Sequence, residues 1–176
     1  MNPIVPDASA VCLSCGMCCD GTLFERANAQ PAEFGRLAAN GIETLEAEGR
    51  FYFRLGCPRL SGTCCTIYDD RFTICRTFHC NLLTELRSGA TSLDEALEAV
   101  RQAKILLEKV RSQRPEAAAL RERRTIAAEV QNWASLPDPE ERRRSARLYL
   151  DIVALERHLA ARFRKKRPEA HPEIKS

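Results

Sequence analysis

The sequence predicts an α+β protein: a small cysteine-rich module with short strands, followed by an antiparallel helical bundle. Three observations carry this. All nine cysteines lie in two islands, CLSCGMCC from Cys12 to Cys19 and CPRLSGTCCTIYDDRFTICRTFHC from Cys57 to Cys80. The second island is entered through RFYFRL, whose period-2 alternation marks a half-buried strand. Beyond Ser92 the cysteines stop and apolar residues recur at helical spacing, interrupted by prolines. The expected division is a cysteine module over residues 1–88 and a helical region over 89–176.

Composition bounds what such a chain can be. At 176 residues it can bury a substantial apolar core. No apolar run approaches the roughly 20 residues that span a bilayer, and the first residues carry neither a basic stretch nor an apolar one typical of a signal peptide. The expected location is the cytoplasm, where thiols stay reduced and clustered cysteines are metal ligands more often than disulfides. The net charge of +3 is uneven: residues 1–90 hold 8 Arg against 10 acidic residues, and the remainder is basic.

Taken in order, residues 1–11 read as an extended lead-in. Cys12, Cys15 and Cys18 follow at two-residue gaps, which let successive thiolates face one ion, with Gly16 easing the turn. The same run matches the opening of a bacterial ferredoxin segment. Adjacent side chains diverge, so Cys18 and Cys19 are expected to serve different metals, or one of them to reach the other island's ion. Residues 22–30 read as a short strand, and Pro31 opens a helix that stops at Asn40–Gly41. IETLEAEG reads as a further helical piece ending at Gly49. RFYFRL is expected to pair with Thr66, Ile67 and Tyr68 as a hairpin around Cys57. Cys75 and Cys80, five residues apart, are close enough for a loop or loosened turn to bring together.

The tail is built from local signals. Ser92 and Glu95 form a capping box ahead of Leu93, Ala96, Leu97, Val100, Ala103, Leu107 and Val110. Pro115 opens a second, alanine-rich helix over 116–134. Asp138 and Pro139 start a third, expected to bury Tyr149, Ile152, Val153, Leu159 and Phe163. Three such helices with short breaks suggest an antiparallel bundle.

With these residues in view, the chain resembles the YkgJ-type cysteine-cluster family, which is described by zinc or iron chelation. The resemblance rests on CLSCGMCC, then CPRL, then CTIYDDRFTICRTFHC, all between residues 12 and 80. It implies eight metal-ligating cysteines: Cys12, Cys15, Cys18, Cys19, Cys57, Cys65, Cys75 and Cys80. Pro58, Leu60, Ile67, Tyr68, Arg71, Arg76 and Phe78 match its other positions. Phe72 stands where the pattern has proline, implying a less rigid turn before Cys75. Cys64 has no counterpart. The family includes members similar to flagellin lysine N-methylases, which are implied to carry an iron–sulfur cluster.

Three function classes fit these residues. The first is a metal-binding protein chelating iron, as an Fe–S cluster, or Zn²⁺. The second is an enzyme, redox-active or modifying protein lysines, although no GxGxxG opens a helix after a strand. The third is a zinc-stapled module that presents its helical tail to a protein partner. Arg71 and Arg76 are candidates to offset the charge of the thiolates. Tyr68 and Phe78 read as core residues before pocket residues, and His79 reads as a bystander beside sites that eight thiolates already fill. The basic runs at 142–144 and 162–166 alternate with glutamates and read as a solvated helix face, so neither nucleic acid nor membrane is an expected partner.

Overall fold

A computed structural model describes residues 8–113 and 137–165, together with Trp133 and Ser135. It shows the α+β class expected, with a few short antiparallel strands and a helical region after the cysteine-rich part.

The chain opens on helix α1 (Ala8–Cys15), so residues 8–11 are helical and not an extended lead-in. Gly16 follows at φ +72°, where a side chain would be strained, and its N–H closes the last turn on the Cys12 carbonyl at 3.2 Å. Strand β1 (Arg26–Asn28) falls within the expected 22–30 segment. A 3₁₀ turn (Pro31–Glu33) leads into α2 (Phe34–Ala39), which Pro31 starts and Gly41 ends as expected.

The next segment corrects the sequence reading. Residues 44–47 form strand β2 (Thr44–Ala47), which pairs antiparallel with β3 (Arg50–Arg54) in a sheet of order β1-β3-β2. Glu48 and Gly49 both take positive φ, 55° and 68°, the two-residue turn whose twist suits a hairpin. Leu45 and Ala47 face inward while Thr44 and Glu46 face solvent, so the period is 2 rather than 3.6. The expected pairing of RFYFRL with residues 66–68 is therefore not made. A separate two-stranded hairpin, β4 (Leu60–Ser61) with β5 (Cys64–Cys65), turns at Gly62, and residues 66–68 form a turn.

Helices α3 (Thr73–Thr77), α4 (Asn81–Ser88), α5 (Leu93–Gln113) and α6 (Pro139–Arg162) complete the described chain. The capping box forms reciprocally, the Ser92 N–H donating to Glu95 Oε2 at 2.8 Å and the Glu95 N–H to Ser92 Oγ at 3.2 Å. Asp138 caps α6 through its Oδ1, which accepts from the Glu140 N–H at 2.8 Å. The helix expected over 116–134 lies outside the described residues apart from Trp133, whose Nε1 donates to the Arg142 carbonyl at 3.0 Å and whose ring lies 5.3 Å from that of Tyr149. The antiparallel packing of α5 on α6 is read from its ends: Gln113 donates to Asp151 at 2.8 Å, and His158 lies 2.8 Å from the Ala99 carbonyl. On α6, Ile152, Leu155 and Leu159 are buried, as is Phe163 at its C-cap, while of the residues expected inside Tyr149 is half-buried and Val153 is 41% exposed.

Two cores result. A helical core joins Val11, Met17 and Leu23 to Leu82, Leu86, Val100, Leu107, Leu155 and Phe163, so α1 packs into the tail helices across residue 88. A smaller core beside the sheet gathers Ala29, Leu37, Ile42, Phe53 and Phe72. The cysteines lie where the two meet.

Candidate metal centre

The two islands are joined first by main chain. The Cys19 carbonyl accepts from Gly56 N–H at 3.2 Å and Cys57 N–H at 2.8 Å, and the Glu25 carbonyl accepts from Leu55 N–H at 2.9 Å. Gly21, at φ +90°, makes this approach feasible, because a Cβ there would stand 3.3 Å from the Gly56 nitrogen. Gly16 does the same on the other side, where a Cβ would meet Thr63 at 3.3 Å in the turn between β4 and β5.

A cavity of about 300 Å³ opens between the two cores. Cys12, Cys15, Cys18, Cys19, Cys57, Cys65, Cys75 and Cys80 all line it, among apolar walls that include Phe24, Phe53, Leu83 and Phe163. Cys64 does not, and it is exposed. All nine cysteines are free thiols. Among the described residues no three His, Cys, Asp or Glu side chains converge as they would around one ion; the eight cysteines are spread around the cavity lining.

Each thiol is delivered by a different local device. Cys12 and Cys15 share one face of α1, one turn apart. Cys57 and Cys65 flank the β4–β5 hairpin, with the Leu60 N–H donating to the Cys57 carbonyl at 3.1 Å and Leu60 paired with Cys65. Cys75 rides on α3, whose first turn is held by Glu33: this buried carboxylate accepts from the Thr73 N–H at 2.8 Å and from its hydroxyl at 3.0 Å. Nothing in the sequence around Glu33 signals that task. Cys80 caps α4, and the next residue, Asn81, donates its N–H to the Phe163 carbonyl at 3.0 Å. Cys75 and Cys80, close enough in sequence for a loop or loosened turn to join, pack against different cores.

Phe72 sits at φ −65°, the angle a proline ring would fix. Its ring is buried 5.9 Å from that of Phe53, so packing holds the turn before Cys75 without proline.

Burial dominates the electrostatics. It pushes the Cys15 and Cys19 thiols up to about 12 and Cys75 up to about 11, and Cys18 well above the usual thiol value. Neighbouring thiols add to each shift. For Cys15 and Cys18 the contributing partners include Cys12 and Cys80; for Cys19 they are Cys75, Cys57 and Cys65. Cys12 is an exposed residue, yet burial raises its thiol as well, with Cys80 adding and the Arg71 charge opposing.

Alongside Arg26, Arg71 is a cation of the cavity wall. Its guanidinium lies 3.7 Å over the Tyr68 ring and its Nε donates to the Tyr68 carbonyl at 2.9 Å, leaving Tyr68 41% exposed at the rim and not in a core as expected. The Arg71 charge lowers Cys12 and Cys75 against the burial that raises them. Arg76 stands outside the lining and supports Arg71 by donating from Nε to its carbonyl at 2.6 Å. His79 also lies outside, with Nε2 2.5 Å from Arg87. Phe78 lines the cavity and packs edge-on against Phe24 at 5.1 Å.

A family model named CxxCxxCC, described as a putative zinc- or iron-chelating domain, matches residues 11–106. That span exceeds half the chain and contains all nine cysteines. The chain belongs to the CxxCxxCC family. Comparison with curated proteins and with solved structures gave no match. The CxxCxxCC domain thus extends into α5, the helix against which α1 packs. Family membership indicates zinc or iron chelation, and the eight thiols around one cavity are a donor set suited to either metal. No helix among the described residues is long and apolar enough to cross a membrane.

Proposed function

We propose that this CxxCxxCC protein binds iron as iron–sulfur clusters through Cys12, Cys15, Cys18, Cys19, Cys57, Cys65, Cys75 and Cys80. The observation that carries the reading is eight thiols lining one cavity of about 300 Å³. A zinc ion gathers four sulfurs at about 2.3 Å from a single point. A polynuclear cluster holds its cysteines farther apart and fills a volume, which suits thiols that ring a space. The C-x2-C-x2-C run supports the same choice. Apolar walls would keep water from the cluster, and Arg71 would offset negative charge. We infer a cytoplasmic location, because clustered cysteines that bind metal must be kept reduced.

Purification without air, followed by analysis for iron, zinc and acid-labile sulfide, tests this. Iron with sulfide and a broad visible absorption is the expected result. Zinc without sulfide would replace this reading with that of a zinc-stapled module.

A further inference from the structure

We propose that the eight thiols form two separate four-sulfur metal centres that exchange one ligand between the islands. Cys12, Cys15 and Cys18 act with Cys80, and Cys19 acts with Cys57, Cys65 and Cys75. This rests on the chelating role proposed above and adds which sulfurs work together.

Two features sort the thiols in this way. The first is packing: Cys80 is buried in the helical core with Cys15 and Cys18 against it, whereas Cys57 and Cys75 pack against the sheet-side core. The second is backbone. Cys19 is bonded through its carbonyl to Cys57, which the β4–β5 hairpin connects to Cys65. Helix α4, begun by Cys80, packs on α1, which carries Cys12 and Cys15.

Each island therefore supplies three ligands to one centre and one to the other. Neither centre can be completed by one island alone, so loading locks the helical core to the sheet. Cys18 and Cys19 are joined by one peptide unit, with Cα atoms about 3.8 Å apart. The two centres are thus neighbours, coupled through that bond.

The test uses the full chain and metal content per chain, relative to wild type prepared identically. Cys80→Ser and Cys57→Ser should each lose half the metal. Cys12→Ser/Cys80→Ser should lose no more than Cys80→Ser alone, whereas Cys57→Ser/Cys80→Ser should lose nearly all. If the last variant kept half, Cys57 and Cys80 would share a centre and the assignment would be overturned. Cadmium loaded into the wild-type chain gives a readout that needs no variant. Heteronuclear couplings should link one ion to the β protons of Cys12, Cys15, Cys18 and Cys80, and the other to the second quartet. Any other grouping overturns the assignment but leaves chelation standing. A wild-type chain that takes up no metal at all would remove both.

Discussion

Cys57 donates its backbone N–H to the carbonyl of Cys19 at 2.8 Å, joining the two cysteine islands through main chain. Gly21 lies beside this joint at φ +90°, where an added Cβ would stand 3.3 Å from the Gly56 nitrogen. Gly21→Ala should cost about 1–3 kcal/mol in backbone strain and also weaken metal retention, because the islands must separate slightly. Gly41→Ala is the control: it has a similar φ of +70° but nothing within 4 Å of the added carbon. Thermal stability and metal content, measured for both, should show a stability loss in each and metal loss only in Gly21→Ala.

Arg71 faces thiols on both sides of the cavity, lowering Cys12 and Cys75. Groups supporting metal ligands typically change affinity about 10–100-fold when removed. Arg71→Gln should weaken metal binding within that range, measured by chelator competition. Arg71→Lys should recover only part of it, since an ammonium lacks the planar stacking on Tyr68. Full affinity in Arg71→Gln would show that this charge is not felt by the bound metal.

Thiol burial sets a pH dependence. Cys15 and Cys19 at about 12 and Cys75 at about 11 lie above the ordinary 9.0, so the metal-free fold favours the protonated thiols. Their contribution is fully present below pH 9 and is lost as pH rises toward 12. The metal-free protein should therefore lose thermal stability across that window. The loaded protein should not follow, because its thiols are already deprotonated and held by metal. Binding releases these protons, so affinity should climb with pH. Melting curves of both forms against pH decide this.

The helical tail depends on the cysteine segment. Val11 and Met17 are buried with Val100, Leu107 and Val110 in one core. A fragment beginning at residue 89 would expose that face of α5. Amide hydrogen exchange within 93–113 should be faster in the fragment than in the full chain, and adding residues 1–88 should restore protection. Equal protection in both would show that α5 and α6 are self-sufficient.

The islands and the starts of α5 and α6 were legible because their signals are local. A capping box, an Asp-Pro start and closely spaced cysteines depend on residues within a few positions of each other. The strand at 44–47 was not, because its short apolar alternation resembles a helical fragment until Glu48 and Gly49 are seen at positive φ. Helix α1 was missed because its turns are filled with cysteines that read as a ligand loop. Glu33 holding Thr73, and Phe163 reaching the cavity, join residues far apart in the chain. No local pattern announces either.

The most direct measurement counts reactive thiols in the native, metal-loaded chain. A small alkylating reagent followed by peptide mass mapping identifies each modified cysteine. The account predicts that Cys64, exposed and outside the cavity, is modified alone, and that metal removal and unfolding expose all nine. Rapid modification of Cys12, Cys15, Cys18, Cys19, Cys57, Cys65, Cys75 or Cys80 in fully loaded protein would contradict it.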